Sequence, residues 1–464
     1  MSGDKLDIEG VNKARAEDIA EVHKHNLYTK VPIKECWDNT GKGPIGTRWV
    51  DANKGDEVNP EYRSRLVAQE VKTDRREDRF AATPPLEAKK MLRSRAVIEG
   101  IGYNGRREAG MKLGFIDVTR AYVHARARRE LFVTLLDEDY TDGMCGRLNK
   151  AMYGTSDAAQ HWESAHIECM SEFECSRGAA TPCICPHAER YIRVVVHGDD
   201  VTILGHLEQI DWSKKRMEST YDIKYRGHIG PQRKDEKNMM ILNRIVEWIE
   251  DGIVYESGQR HAYIIVRYLN LSQANGVVTP GEKKDIKTSN ALNQSQATRY
   301  RARVARGIYL APDRRDIAYV VMELSRNMPN PDCSDWASLK RLGRYLVNQS
   351  SVQTLPAYPL GVSELTIGAG SDDAGCARTR KNTRGGLAMF GVHCIKGWGS
   401  TQGVVALSSG EAAFYAMVKW QFDGKWSQTF IERHGTQSGN HIKERCKCSK
   451  RDSTSHRLRK GKAH

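Results

Sequence analysis

The sequence predicts an α+β fold of two or three domains, and three observations lead there. Short strand-like runs fill the first half of the chain, basic helical stretches dominate residues 259–350, and a second strand-rich segment begins after residue 361. The chain of 464 residues is also too long for one hydrophobic core.

Taken in order, residues 1–30 are polar and periodic, which predicts a peripheral helix. A strand around 49–51 runs into the polar turn 53–56, and a second strand covers 62–68. Residues 75–79 form a charged loop, and 86–101 have helical character. The apolar run 113–118 carries Asp117 at its end. Helical residues 157–174 separate it from a second apolar run, 191–196, which reaches His197-Gly198-Asp199-Asp200 and resumes at 201–204. That pattern predicts a β-hairpin with two adjacent acids at its turn. Residues 338–346, with Lys340, Arg341 and Arg344, continue the basic helices. Strands are expected at 385–390 and 404–407, then a helix from Ser409. The last 25 residues are basic, lack apolar periodicity and are expected to be disordered or a poorly packed end.

Composition narrows the function classes. Lys and Arg number 72 against 58 Asp and Glu, a net charge of +14, which suits a polyanionic partner. No run of about 18 apolar residues is present, which argues against a membrane span. The N-terminus lacks the basic and apolar segments of a secretion signal, so the eleven cysteines are expected to be reduced. Cys183-Ile184-Cys185-Pro186-His187 and Cys446-Lys447-Cys448 lack the spacing of a structural zinc site.

The acids carry the sharper signal. Two neighbouring Asp residues in a turn repel each other unless a cation lies close. Magnesium prefers carboxylate oxygens, and phosphoryl chemistry commonly uses two such ions. Asp117 at a strand end, with Asp199 and Asp200 on a hairpin, could supply that set.

The surrounding residues resemble copia-type retrotransposon reverse transcriptases. Phe115-Ile116-Asp117-Val118-Thr119-Arg120-Ala121-Tyr122 is similar to their first catalytic block. Val196-His197-Gly198-Asp199-Asp200-Val201 is similar to their aromatic-x-Asp-Asp block, with His197 and Gly198 replacing the usual residues. Residues 148–162, including Tyr153-Gly154, and Arg65-Leu66-Val67-Ala68-Gln69 match two further blocks in the right order. The resemblance runs from about Trp49 to Gln421. It implies a fingers–palm–thumb reverse transcriptase with an incomplete ribonuclease H-like α/β domain. The expected division is an N-terminal extension (1–30), fingers and palm (31–260), thumb and connection (261–360) and the ribonuclease H-like segment (361–464).

The resemblance also implies roles. Asp117, Asp199 and Asp200, with the Val118 carbonyl, would hold two Mg²⁺ ions, Mn²⁺ being the alternative. Tyr122 would lie under the incoming sugar, Arg63 and Arg65 would meet the triphosphate, and Gly154 would allow close approach of template–primer or nucleotide. Implied partners are an RNA template, a DNA primer or RNA–DNA hybrid, and deoxynucleoside triphosphates. Cytoplasmic retroelement particles, with access to the nucleus, are the implied location.

In the last segment, Ser371-Asp372-Asp373-Ala374-Gly375-Cys376 and Leu407-Ser408-Ser409-Gly410-Glu411-Ala412-Ala413-Phe414-Tyr415 resemble ribonuclease H motifs. Without a gap, Gly370 stands where the family has its first catalytic Asp. Asp372, Glu411 and Asp452 are the remaining candidate ligands, and a convincing fourth is not found, so weak or absent hydrolysis is expected. The alternative reading is a decayed, catalytically inactive retroelement fragment that still binds nucleic acid.

Overall fold

The computed structural model describes residues 6–55, 59–71, 81–178, 182–256, 258–282, 289–348, 352–356, 365–372, 375–376, 379–423 and 442–448. The charged loop expected at 75–79, and the candidate Asp452, lie outside them. The chain forms two compact units. Residues 1–89 and 111–228 make the first, and residues 90–110 and 229–464 the second.

The first unit opens with helix α1 (Ile8–Lys24), capped by the Asp7 carboxylate accepting from the Gly10 amide at 2.8 Å. Strands β1 (Thr47–Asn53) and β2 (Tyr62–Ala68) form an antiparallel hairpin. Its alternation buries Ser64, Leu66 and Ala68 and leaves Arg63 and Arg65 on the exposed face. At the centre is a five-stranded sheet built from β3 (Lys112–Val118), β4 (Ile184–His187), β5 (Ile192–His197), β6 (Asp200–Gly205) and β7 (Ile223–Ile229). Its order is β7-β3-β6-β5-β4, which puts β3 between β6 and β7. Strands β3, β5 and β6 are buried almost throughout, so they read as continuous apolar runs rather than alternating ones. Helices α2 (Ala158–Glu172) and α3 (Leu207–Glu218) supply Trp162, Met170, Ile210 and Met217 to the core that encloses Ile116, Val194, Val196 and Ile203. Cys183, Cys185 and His187 are buried on and beside β4.

The second unit begins its sheet with β8 (Asn238–Ile241), β9 (Arg244–Ile249) and β10 (Gly252–Glu256), an antiparallel meander later joined by β11 (Val352–Pro356). Four helices share one core: α4 (Arg260–Tyr268), α5 (Gln294–Leu310), α6 (Arg315–Arg326) and α7 (Cys333–Asn348). The expected basic helix at 338–346 lies inside α7. The unit ends in antiparallel strands β12 (Leu365–Ser371), β13 (Thr383–Phe390) and β14 (His393–Thr401), then helix α8 (Ser409–Asp423). Strand β15 (Ile442–Cys448) returns parallel to β12.

Three expectations fail here. Residues 404–407 are not a strand but an exposed approach to α8, with Leu407 93% exposed. Among the described residues the apolar run has no strand partner, and the Leu407 amide instead bonds the Glu411 carboxylate at 2.8 Å. Conversely, residues 442–448, expected to be disordered or a poorly packed end, pair with β12 along its whole length. A backbone ladder depends on a neighbouring strand, not on apolar periodicity in its own sequence. Helix Leu86–Ala96 also stops short of the expected residue 101.

Candidate active site

Strand pairing brings the three acids of the first unit together. Asp117 on β3 lies directly opposite Asp200 on β6, and Asp200 also pairs with His197 across the hairpin. The loop between β5 and β6 is therefore two residues, Gly198 and Asp199. Gly198 takes φ +62°, the left-handed conformation that a tight hairpin asks of its first loop residue. Two contacts fix the turn against its neighbours. The Val118 amide donates to the Asp199 carbonyl at 2.8 Å, and the Trp162 indole N–H donates to the Gly198 carbonyl at 2.8 Å.

The charge balance is that of a cation site. Burial pushes the Asp200 carboxyl above its ordinary value; Lys89 and Arg226 pull it down, while Asp199 and Asp117 push it further up. Arg226, on β7 beside β3, donates from Nη2 to Asp117 Oδ2 at 2.6 Å. The Asp117 bond raises the Arg226 guanidinium above its usual value, and the charges of Asp200 and Asp199 add to it. Carboxylate oxygens suit hard divalent ions, so an all-oxygen donor set drawn from Asp117, Asp199 and Asp200 fits magnesium.

Beside the acids lies an aromatic–cationic group. The Tyr122 and Tyr153 rings are 4.6 Å apart, and the Arg65 guanidinium sits 5.0 Å over Tyr153. Burial, followed by the charge of Asp199, raises the Tyr122 hydroxyl above its ordinary value. Arg63 is exposed and held by Glu61 at 2.7 Å. Gly154 adopts φ +90°, and a Cβ there would fall 1.9 Å from the Ala68 carbonyl oxygen. The close approach that Gly154 permits in the structure is thus between two segments of this chain, where the Ala68 amide bonds the Tyr153 carbonyl at 2.8 Å. The Val118 side chain is fully buried.

The remaining candidates belong to the second unit and are held locally. Asp372 Oδ1 accepts from the amides of Thr383 at 2.6 Å and Gly375 at 3.3 Å. Glu411 accepts from the Leu407 amide at 2.8 Å and the Tyr415 hydroxyl at 2.9 Å. Gly370 pairs with Gly385 in the β12–β13 ladder.

Sequence reasoning missed Arg226 and Lys89. Both lie in basic stretches where many residues would serve equally; strand register selects Arg226, and the placing of helix Leu86–Ala96 in the fold selects Lys89.

Comparison with known proteins gives the family. The chain is 22% identical over 451 residues to the retrovirus-related Pol polyprotein from transposon TNT 1-94 of Nicotiana tabacum, a match covering 93% of this chain and 32% of that one. It is 22% identical over 415 residues to the corresponding polyprotein of transposon RE2 of Arabidopsis thaliana, covering 85% of this chain and 26% of the relative. The chain therefore spans no more than a third of the length of these curated relatives. The foamy viral protease-reverse transcriptase in complex with RNA/DNA hybrid superposes at 9% identity and a TM-score of 0.48, covering 99% of this chain and 57% of that one. Residues 36–283, more than half of the chain, match the profile of the reverse transcriptase (RNA-dependent DNA polymerase) family, and the chain belongs to that family, in its copia type.

Proposed function

We propose that this chain is an RNA-directed DNA polymerase that extends a primer on a nucleic-acid template. The observation that carries the reading is the juxtaposition of Asp117 and Asp200 on paired strands, with Asp199 in the adjoining turn. Asp117, Asp199 and Asp200 would hold two Mg²⁺ ions, or Mn²⁺ in their place. Bound there, the ions supply Lewis acidity at the primer hydroxyl and at the leaving pyrophosphate. The chain's own part is positional. The short turn, pinned by Val118 and Trp162, holds Asp199 beside the paired strands that carry Asp117 and Asp200 before substrate arrives. Arg65 would meet triphosphate oxygens, with Arg63 on the same face of the hairpin. Tyr122, held against Tyr153, would lie under the sugar of a deoxynucleoside triphosphate and exclude a 2′-hydroxyl.

Nucleic-acid binding has separate support in the second unit. Helices α4 and α5 contain no acidic residue, and Arg299, Arg303 and Arg306 lie close enough that, after burial, their mutual repulsion lowers the Arg303 guanidinium. Tyr263 and Tyr268 are 60% and 62% exposed, and Arg303 stacks 4.9 Å over Tyr268. Cations interleaved with exposed rings suit phosphates and bases. The ribonuclease H-like segment is read as weak or inactive, because Gly370 offers no carboxylate where the resemblance puts the first ligand.

The test is primer extension on an RNA template by the purified chain with Mg²⁺ and then Mn²⁺. Extension that Asp199→Asn abolishes, with duplex binding retained, supports the polymerase. Salt-dependent binding without extension under either ion would leave the binding-only reading.

A further inference from the structure

A second group of metal-ligating side chains lies in the first unit, outside the three acids on the central sheet. Glu21 and His25 stand four residues apart at the end of α1, so they share a helix face, and Asp222 comes from the connection between α3 and β7. One ligand atom from each lies within 4.8 Å of the others. His25 Nε2 is 3.3 Å from Glu21 Oε2 and 3.4 Å from Asp222 Oδ2. Those spacings match the edges of a coordination tetrahedron: ligand arms of about 2.0–2.1 Å put neighbouring ligand atoms about 3.3 Å apart. The scaffold is anchored. The Thr119 amide donates to the Asp222 carbonyl at 2.8 Å, and the His124 ring packs edge-on to His25 with centroids 5.0 Å apart.

From this geometry we infer that Glu21, His25 and Asp222 form a binding site for a zinc-class divalent cation, with water in the fourth position. A ring nitrogen with two carboxylates suits zinc and its neighbours in the transition series rather than magnesium. The site is therefore chemically distinct from the all-oxygen set at Asp117, Asp199 and Asp200. Its effect is structural. The ion would clasp the end of α1 to the connection between α3 and β7, which the Thr119 amide, two residues beyond Asp117, ties to the end of β3.

The charged neighbours define what the ion competes with. Lys24 Nζ lies 2.7 Å from Asp222 Oδ2 and 3.6 Å from Glu21 Oε2, and its hydrogen bond holds the Asp222 carboxyl below the usual range. Lys24 is more than half exposed, so its ammonium can move into water at little cost. Arg120 approaches Glu21 at 3.4 Å but has its own partner in Asp18 at 3.0 Å. His124 is lowered chiefly by burial, then opposed by its Thr119 contact and affected by the charges of His25, Asp222 and Lys150.

The experiment titrates the full chain with Co²⁺ in saturating Mg²⁺, which keeps the hard oxygen site filled, and follows visible absorption. One equivalent should give the intense d–d bands of tetrahedral cobalt, displaced by Zn²⁺, without the near-ultraviolet charge-transfer band that a cysteine ligand would add. His25→Gln and Asp222→Asn should lose the bands while circular dichroism stays native. Lys24→Met removes a competitor and no ligand, and should tighten Co²⁺ binding severalfold. A weak octahedral spectrum, bands that survive His25→Gln, or no tightening in Lys24→Met would each overturn the site and leave an ion-pair network.

Discussion

Asp117 and Arg226 form the contact with the plainest consequences for chemistry. Without a divalent ion the guanidinium neutralises part of the carboxylate repulsion, so cation and metal compete for one charge. Arg226→Met should therefore lower the thermal midpoint in EDTA and tighten Mn²⁺ binding by about three- to tenfold. A variant with unchanged metal affinity would show that Arg226 leaves the acids at no expense. Trp162→Phe keeps an aromatic ring in the core but leaves the Gly198 carbonyl without its indole donor. A loss of about 1 kcal/mol is expected in urea unfolding, with slower extension and unaltered duplex affinity. These residues differ in legibility. The Asp pair and Asp117 stand out in the sequence because adjacent acids beside apolar strands are unusual, whereas nothing near Arg226 distinguishes it from Lys224.

Among elements, the joint between the β1–β2 hairpin and α2 is the most exacting. Glu70 follows β2, Asp157 precedes α2, and Arg129 bridges them at 2.9 Å and 3.1 Å. Burial pushes the Asp157 and Glu70 carboxyls up, but hydrogen bonds from Arg129, aided by the His161 charge at Asp157 and by Ser156 at Glu70, override it and leave both below their ordinary values. A depressed carboxyl contributes stability that is present above its unfolded pKa and lost as pH falls through its folded one. The thermal midpoint should thus hold steady down through the ordinary range, 3.8 for Asp and 4.5 for Glu, and fall below it. In Arg129→Met the contacts from Ser156 to Glu70 and the charge of His161 at Asp157 remain, but the largest lowering influence is lost, so the acid-side decline should shrink; identical profiles would remove Arg129 from this role. Gly154→Ala tests the same joint from the loop side. The 1.9 Å clash with Ala68 and the φ of +90° should cost roughly 2–4 kcal/mol, read as a lower urea midpoint. The Arg-Leu-Val-Ala and Tyr-Gly blocks were visible in the sequence, but their meeting depends on the Ala68–Tyr153 hydrogen bond, a long-range contact.

For the whole molecule, the charge of +14 predicts that affinity for an RNA–DNA duplex falls steeply with salt, as released counterions require. Binding measured from low to physiological salt that stays flat would remove phosphate contacts from the account. In the second unit, cleavage of a labelled RNA–DNA hybrid should be undetectable or very slow with either Mg²⁺ or Mn²⁺. Robust cleavage lost in Glu411→Gln would reverse that reading and return Asp372 to the position of first ligand.

What the sequence determined by itself was local. Apolar runs marked β3, β5 and β6, the Asp199-Asp200 pair marked a hairpin turn, which the structure shifts one residue to Gly198 and Asp199, and helical periodicity located α2 and α7, because each depends on neighbours a few residues away. The motif order was also enough for the family. Tertiary structure decided what depends on register. It put Asp117 opposite Asp200, selected Arg226 as its partner, turned Gly154 toward Ala68, and drew residues 442–448 into a ladder while leaving 404–407 outside one. A one-residue slip in a strand reverses every side chain it carries, so such pairings are settled only when the sheet assembles.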